Sequence, residues 1–76
     1  MPKQVHTVPN PDKNSALPWA NEVSRKIVSR HHLKETAVDR GREEAIRLKA
    51  EHFVHNRDGE VGQKNSYGHD PRNVEG

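Results

Sequence analysis

The chain has 76 residues, of which 29% are hydrophobic, and it contains no cysteine. This length allows one domain with one small core, and the absence of thiols excludes disulfide scaffolds, cysteine zinc sites and cysteine nucleophiles. The net charge of +2, from 13 basic and 11 acidic residues, argues against full disorder and is less lopsided than that of most polyanion-binding proteins. Because no apolar run suits a signal peptide or a membrane span, we expect a cytoplasmic protein without a membrane partner.

The first part of the chain predicts a strand, a turn and an ambiguous stretch. Residues 4–8 are rich in β-branched side chains and precede a proline, which indicates a first strand, and turn-forming residues follow. Residues 17–29 fit a helix, because apolar residues recur at steps of four at Trp19, Val23 and Ile27. The β-branched residues of the same stretch fit two strands equally well, at residues 19–23 and 26–30. The residues alone leave both readings open.

Residues 34–50 form the clearest predicted helix. Small and apolar residues fall on one face and charged residues cover the rest, the first group being Ala37, Val38, Gly41, Ala45 and Leu48. A glycine inside a helix costs about 1 kcal/mol relative to alanine. We therefore predict that the helix packs closely on a sheet at Gly41.

A β-hairpin is predicted after the helix. Residues 52–56 and 60–64 read as strands, and the segment between them is Arg57-Asp58-Gly59. The aspartate can accept a hydrogen bond from its own backbone and the glycine can adopt a positive φ, as a tight turn requires. We expect one domain over residues 1–71 and a disordered tail over residues 72–76.

Short motifs in the second half of the chain carry a family resemblance. They are Arg40-Gly41-Arg42-Glu43, Val54-His55-Asn56-Arg57-Asp58-Gly59 and Ser66-Tyr67-Gly68-His69-Asp70-Pro71, with weaker matches at Val5-His6, Val8-Pro9 and Trp19-Ala20. On these residues the chain resembles domain-of-unknown-function family 2188, which comprises small bacterial and phage proteins. The resemblance implies an α+β fold of β-β-β-α-β-β type, with one helix on a small antiparallel sheet, and it favours strands for residues 17–29. It implies no activity.

The fold prediction is therefore three N-terminal strands, one helix and a C-terminal hairpin around a small core. The predicted core comprises Val5, Trp19, Ile27, Val38, Ala45, Leu48, Phe53 or Val54, Val61 and Tyr67. The motif residues receive structural roles: Arg57, Asp58 and Gly59 in the turn, and Ser66, Tyr67, Gly68, Asp70 and Pro71 in a C-terminal segment whose tyrosine ring packs back on the sheet.

No catalytic or metal-binding pattern is present. The serines lack a nucleophile motif and the glycines are isolated, so we predict a protein that is not an enzyme. His31 and His32 are adjacent, and His52 and His55 are three apart, and on strands such residues point to opposite faces. We therefore predict no metal and no cofactor.

One basic run is the candidate nucleic-acid site, and its members are Arg25, Lys26, Arg30, His32 and Lys34. Strand alternation predicts Lys26, Arg30 and His32 on one face, where they could follow a phosphate backbone. The simpler alternative is a solvated basic edge that discourages pairing between sheets. Base stacking is not expected, because the chain has only three aromatic residues and its core needs at least one.

These observations predict a small non-enzymatic binding module, a monomer or weak dimer. Nucleic acid is slightly favoured as its partner, because of the basic run. The alternative is protein–protein interaction or regulation through an exposed sheet edge.

Overall fold

Within residues 3–67, which the computed structural model describes, five strands form one sheet and one helix lies on one of its faces. The elements are β1 (Gln4–Pro9), β2 (Trp19–Val23), β3 (Lys26–His31), α1 (Lys34–Leu48), β4 (Glu51–His55) and β5 (Val61–Ser66). The predicted α+β class, element order and C-terminal hairpin are confirmed. The ambiguous stretch forms the two strands β2 and β3, as the family resemblance implied.

The sheet is mixed, with strand order β3-β2-β1-β4-β5. Strand β1 pairs antiparallel with β2 and parallel with β4, whereas the two outer pairs are antiparallel. The prediction of a purely antiparallel sheet was wrong at the β1–β4 pair. The helix carries the chain from the β3 edge across the sheet to the far side of β1, and such a crossover brings in the next strand parallel.

The helix ends two residues before its predicted end. Lys49 adopts a left-handed conformation with φ 55°, and its N–H bonds to the carbonyls of Ala45 and Ile46. This αL residue satisfies carbonyls of the last turn and redirects the chain. Ala50 is then buried, and β4 starts one residue later.

The β2–β3 turn places a basic side chain at a sheet corner. Ser24 and Arg25 both have positive φ, at 54° and 68°. Two consecutive left-handed residues match the twist of a two-residue hairpin, although each non-glycine residue there costs on the order of 1 kcal/mol. Arg25 therefore lies at the tip of the hairpin.

The apolar core is small and consists largely of short side chains. Val5, Ala45 and Ala50 form its centre, and Val23, Leu48 and Tyr67 pack against them. Trp19 and Val54 are also buried, as predicted. Val61 is 54% exposed on the edge strand, so its assignment to the core was wrong, and Ile27, Val38 and Phe53 are only partly buried.

Candidate nucleic-acid interface

The predicted basic row is divided between the two faces of the sheet. Lys26 pairs with Val23, whose side chain packs toward the helix, so Lys26 lies on the helix side of the sheet. Arg30 pairs with Ala20, which is three residues before Val23 in β2 and faces the other way, so Arg30 lies on the opposite side. The prediction that Lys26 and Arg30 share a face was therefore wrong. Both are exposed.

A β-bulge in β3 causes this division. Asn21 pairs with Ser29, but the next residue of β2 pairs with Ile27, so Val28 is an extra residue. One additional residue reverses the facing of all side chains beyond it. Residues four apart, which would share a face in a regular strand, here lie on opposite faces.

The last two members of the predicted row lie outside β3. His32 is exposed between β3 and the helix. Lys34 opens the helix, and its Nζ lies 5.3 Å from the centre of the Trp19 ring. This distance suits a cation–π contact, which places Lys34 on the helix side.

In the part of the chain that the structure describes, three arginines of the helix pair with carboxylates, whereas the cations of the β2–β3 hairpin do not. The ion pairs within residues 3–67 all lie on the helix, and they join Arg40 to Glu44, Arg42 to Asp39 and Arg47 to Glu44. In the same part of the chain, no carboxylate pairs with the hairpin cations Arg25, Lys26 and Arg30. The hairpin therefore keeps a local excess of positive charge.

The sheet face opposite α1, here called the helix-free face, carries a row of side chains across the strands. Strand register aligns Ile27, Glu22, His6, Phe53 and Lys64. The rings of His6 and Phe53 stack with centres 4.8 Å apart and planes 9° apart. Lys64 approaches Phe53 from the neighbouring strand, with Nζ 5.5 Å from the ring centre. Both faces of this ring are therefore occupied, and it offers no platform for a base.

His6 also contacts a second histidine on this face. Its Nδ1 lies 2.8 Å from Nε2 of His55, and its Nε2 lies 3.1 Å from Oε1 of Gln4. Nδ1 of His55 lies 2.9 Å from the carbonyl oxygen of Gly59. Burial lowers the pKa of His6 below its usual value, as does the nearby His55, while Glu22 opposes the shift.

Two clefts lie on the helix-free face, and both are lined by Val8, Glu22 and His55. The larger has a volume of about 550 Å³ and extends to Lys3 and Arg25. The smaller, of about 440 Å³, extends toward the β4–β5 turn and Arg57. Basic side chains thus lie at the outer ends of both clefts.

A buried polar network lies beneath the helix. Thr7, Asn21 and His52 are at most 1% exposed. The Thr7 hydroxyl donates to Oδ1 of Asn21 at 2.5 Å, so the neighbouring His52 Nε2–H donates to that hydroxyl at 2.8 Å. The Asn21 amide donates to the Ala37 carbonyl at 2.9 Å, which joins sheet and helix. Burial, followed by the charges of Arg42 and His6, lowers the pKa of His52.

Sequence reasoning did not find this network, although Gly41 indicated its place. A Cβ at Gly41 would lie 2.6 Å from polar atoms of each of the three network side chains. The predicted close packing is therefore present, but the helix meets polar side chains. Thr7 lies two residues after the buried Val5 in β1, and His52 lies two residues before the buried Val54 in β4. Because side chains alternate between the faces of a strand, this spacing was the sequence signal that Thr7 and His52 face the core.

The motif residues shape the β4–β5 hairpin and the end of the described chain. Asp58 Oδ1 accepts the Glu60 N–H at 3.0 Å, and Gly59 has φ +94°. Arg57 is exposed, Ser66 ends β5, and Tyr67 donates its N–H to the Ala50 carbonyl at 3.2 Å. The remaining assignments, to Gly68, Asp70, Pro71 and the tail at 72–76, lie outside the described residues.

Within residues 3–67, no three histidine, aspartate or glutamate side chains form a metal-binding group. No helix in this range is long and apolar enough to cross a membrane.

Comparison with known proteins identifies one related family. Residues 5–67 match the model of the family described as "Uncharacterized protein conserved in bacteria (DUF2188)". No curated protein and no solved structure gives a match.

Proposed function

This chain belongs to the bacterial DUF2188 family, and we propose its function from its surface. We propose that the protein is a small, non-enzymatic cytoplasmic module that docks on nucleic acid through the β2–β3 hairpin. The observation that supports this proposal is the placement of Arg25, Lys26 and Arg30, without carboxylate partners in residues 3–67, at the tip and on both faces of one sheet edge.

A hairpin with cations on both faces is better suited to bind in a groove of duplex nucleic acid than along a single-stranded nucleic acid. A single phosphate backbone would require a row of cations on one face. The two walls of a duplex groove present phosphates from both sides, and the major groove, about 12 Å wide, admits a two-stranded β-ribbon. Strand β3 is one of the two edges of the sheet, so the tip and outer strand of this ribbon can enter the groove first.

The expected binding is weak and independent of base sequence. Three phosphate contacts give a slope of about −2.7 in the logarithm of affinity against the logarithm of salt concentration. Electrostatic binding of this kind has a Kd of roughly 10⁻⁴–10⁻⁶ M at physiological salt. Because both faces of the Phe53 ring are occupied, base stacking adds little.

A protein partner at β5 is the second candidate function. Strand β5 is the other sheet edge, and its one charged residue, Lys64, turns onto the Phe53 ring. An edge with so little charge is open to strand addition by a partner or by a second copy in a weak dimer. The exposed Lys26 and Arg30 disfavour such pairing at β3.

Fluorescence anisotropy of a labelled 16-base-pair duplex, measured from low to moderate salt, tests the proposed function. The variant Arg25→Glu/Arg30→Glu reverses two hairpin charges, and Lys13→Glu/Arg57→Glu makes the same net change at exposed positions in other loops. We expect the first variant to lose at least about tenfold in affinity and the second to lose much less, because contact with phosphate is local.

The results separate the candidates. Equal losses in both variants would show that only net charge matters and would refute the hairpin site. Binding that does not respond to salt would refute phosphate contact altogether. Concentration-dependent self-association abolished by Gln63→Pro in β5, without duplex binding, would favour the second candidate instead.

A further inference from the structure

We infer that His6 and His55 form a two-imidazole site for a divalent transition metal ion of the Zn²⁺, Cu²⁺ or Ni²⁺ class. The site lies on the helix-free face and is independent of the proposed hairpin function. Its basis is the 2.8 Å approach of His6 Nδ1 to His55 Nε2, between side chains 49 positions apart in the chain.

In one arrangement of the ring protons, the hydrogen bonds behind the two rings leave a lone pair of each imidazole in the space between them. The Gly59 carbonyl can only accept, so His55 carries its proton on Nδ1 and presents the lone pair of Nε2 to His6. When His6 Nε2–H donates to Gln4 Oε1, Nδ1 of His6 presents a second lone pair to the same point. Two facing lone pairs at this distance need a cation between them, either a proton or a metal ion.

The neutral pair without metal uses the same contacts in another arrangement. His6 then carries its proton on Nδ1 and donates it to His55, and Gln4 turns its amide nitrogen toward Nε2 of His6. Metal binding requires that solvent removes this proton from Nδ1 while Nε2 takes up a proton from solvent, that the Gln4 amide turns, and that the two rings separate.

The surroundings match those of known histidine–metal sites. A metal-bound imidazole almost always donates its other N–H to a carbonyl or carboxylate, as the contacts with Gln4 and Gly59 allow here. Zinc–nitrogen bonds are about 2.0–2.1 Å long, so a tetrahedral ion holds two nitrogens about 3.3 Å apart. The two nitrogens therefore separate by about 0.5 Å when the ion binds, and each ring tilts so that its lone pair points at the ion, which lies off the line between the nitrogens.

The chemical class of the ion follows from the donors. Imidazole nitrogen favours zinc, copper and nickel, whereas magnesium and calcium require oxygen ligands. Within residues 3–67 the site has two protein ligands, so water or a partner completes the coordination in the adjoining cleft of about 550 Å³. The sequence prediction of no metal considered only histidines close together in the chain, and this pair arises from β1 and β4.

Titration of the full chain with ZnCl₂ at pH 7.5 tests the inference, followed through long-range ¹H–¹⁵N correlations of the imidazole rings. We expect saturation at one ion per chain, with the largest shifts at His6 Nδ1 and His55 Nε2 and none at the buried His52. His6→Gln and His55→Gln should each weaken binding at least about tenfold. The control His32→Gln/His69→Gln, which keeps the pair, should bind normally, and MgCl₂ should have no effect.

Backbone amide spectra establish that each variant is folded. Zinc binding that survives both single variants, or that is lost in the control, would overturn the inference. A titration without saturation up to millimolar zinc would overturn it as well.

Discussion

Replacing Gly41 with alanine tests how closely the helix lies on the sheet. The added Cβ would lie 2.6 Å from Asn21 Oδ1, His52 Nε2 and Thr7 Oγ1. Ordinary contacts of a Cβ begin at 3.4 Å, so either the helix must move outward by about 0.8 Å or the network must break. Neither response is cheap, because all three polar side chains are buried.

The expected loss follows from opposing contributions. Alanine in place of glycine favours the helix by about 1 kcal/mol. Overpacking a buried site costs about 1–3 kcal/mol, and a buried polar group left without its hydrogen bond costs about 1–3 kcal/mol more. Where both costs apply, the net change is a loss of about 1–5 kcal/mol in the free energy of unfolding. For a domain of this size, 3 kcal/mol lowers Tm by roughly 10–25 °C.

Urea denaturation followed by fluorescence of the single, buried Trp19 measures this loss. Glu43→Ala and Glu43→Gly provide the control, because residue 43 is exposed on the same helix. There alanine should be more stable than glycine by about 1 kcal/mol. At residue 41 the sign should reverse. A Gly41→Ala variant as stable as the parent protein would refute the close approach and the network beneath it.

Three further predictions concern the interior and the hairpin. Because the pKa of His52 is lowered in the folded state, the unfolded chain binds a proton at this residue more readily. The contribution of His52 to the free energy of unfolding is therefore complete above its usual pKa of 6.5 and is lost as the pH falls through the lowered folded-state pKa. Urea denaturation at pH 7.5 and 5.5 should show a smaller pH dependence in His52→Gln than in the parent protein, and an identical dependence would contradict this. Gly62→Ala should change the free energy of unfolding by no more than about 0.5 kcal/mol, because the added Cβ meets only the exposed Asn56 side chain, which can rotate away. A loss as large as that expected for Gly41→Ala, measured by urea denaturation, would be inconsistent with this. Val54→Ala should lower the free energy of unfolding by about 2 kcal/mol and Val61→Ala by less than about 0.5 kcal/mol, since only Val54 is buried. Comparable losses for the two variants in thermal denaturation would argue against the register of the C-terminal hairpin.

Local signals predicted most of the elements. The β-branched run of β1, the small and apolar helix face and the Asp58-Gly59 turn each depend on residues close in sequence, and all three are present. The parallel β1–β4 pair could not be read in this way, because it depends on where the helix returns the chain. Which of Phe53 and Val54 is buried likewise depends on how β4 is aligned with its neighbouring strands, and this alignment cannot be read from residues close in sequence.

The candidate sites depended even more on long-range structure. One additional residue at Val28 separated Lys26 from Arg30, and residue preferences give no indication of such a bulge. The His6–His55 pair requires β1 beside β4, so spacing along the chain could not reveal it. Thr and Asn are residue types that are mostly exposed, so the signals that marked the network of Thr7, Asn21 and His52 were the strand alternation and the glycine opposite these side chains.

A titration of ¹⁵N-labelled protein with a short DNA duplex at low and moderate salt, followed at every backbone amide, tests the proposed binding of nucleic acid at the tip and edge of the β2–β3 hairpin. We expect shifts concentrated in residues 24–31 that shrink steeply as salt rises. The absence of shifts, or shifts centred on β5 or the helix, would contradict the claim and leave the hairpin as a solvated basic edge.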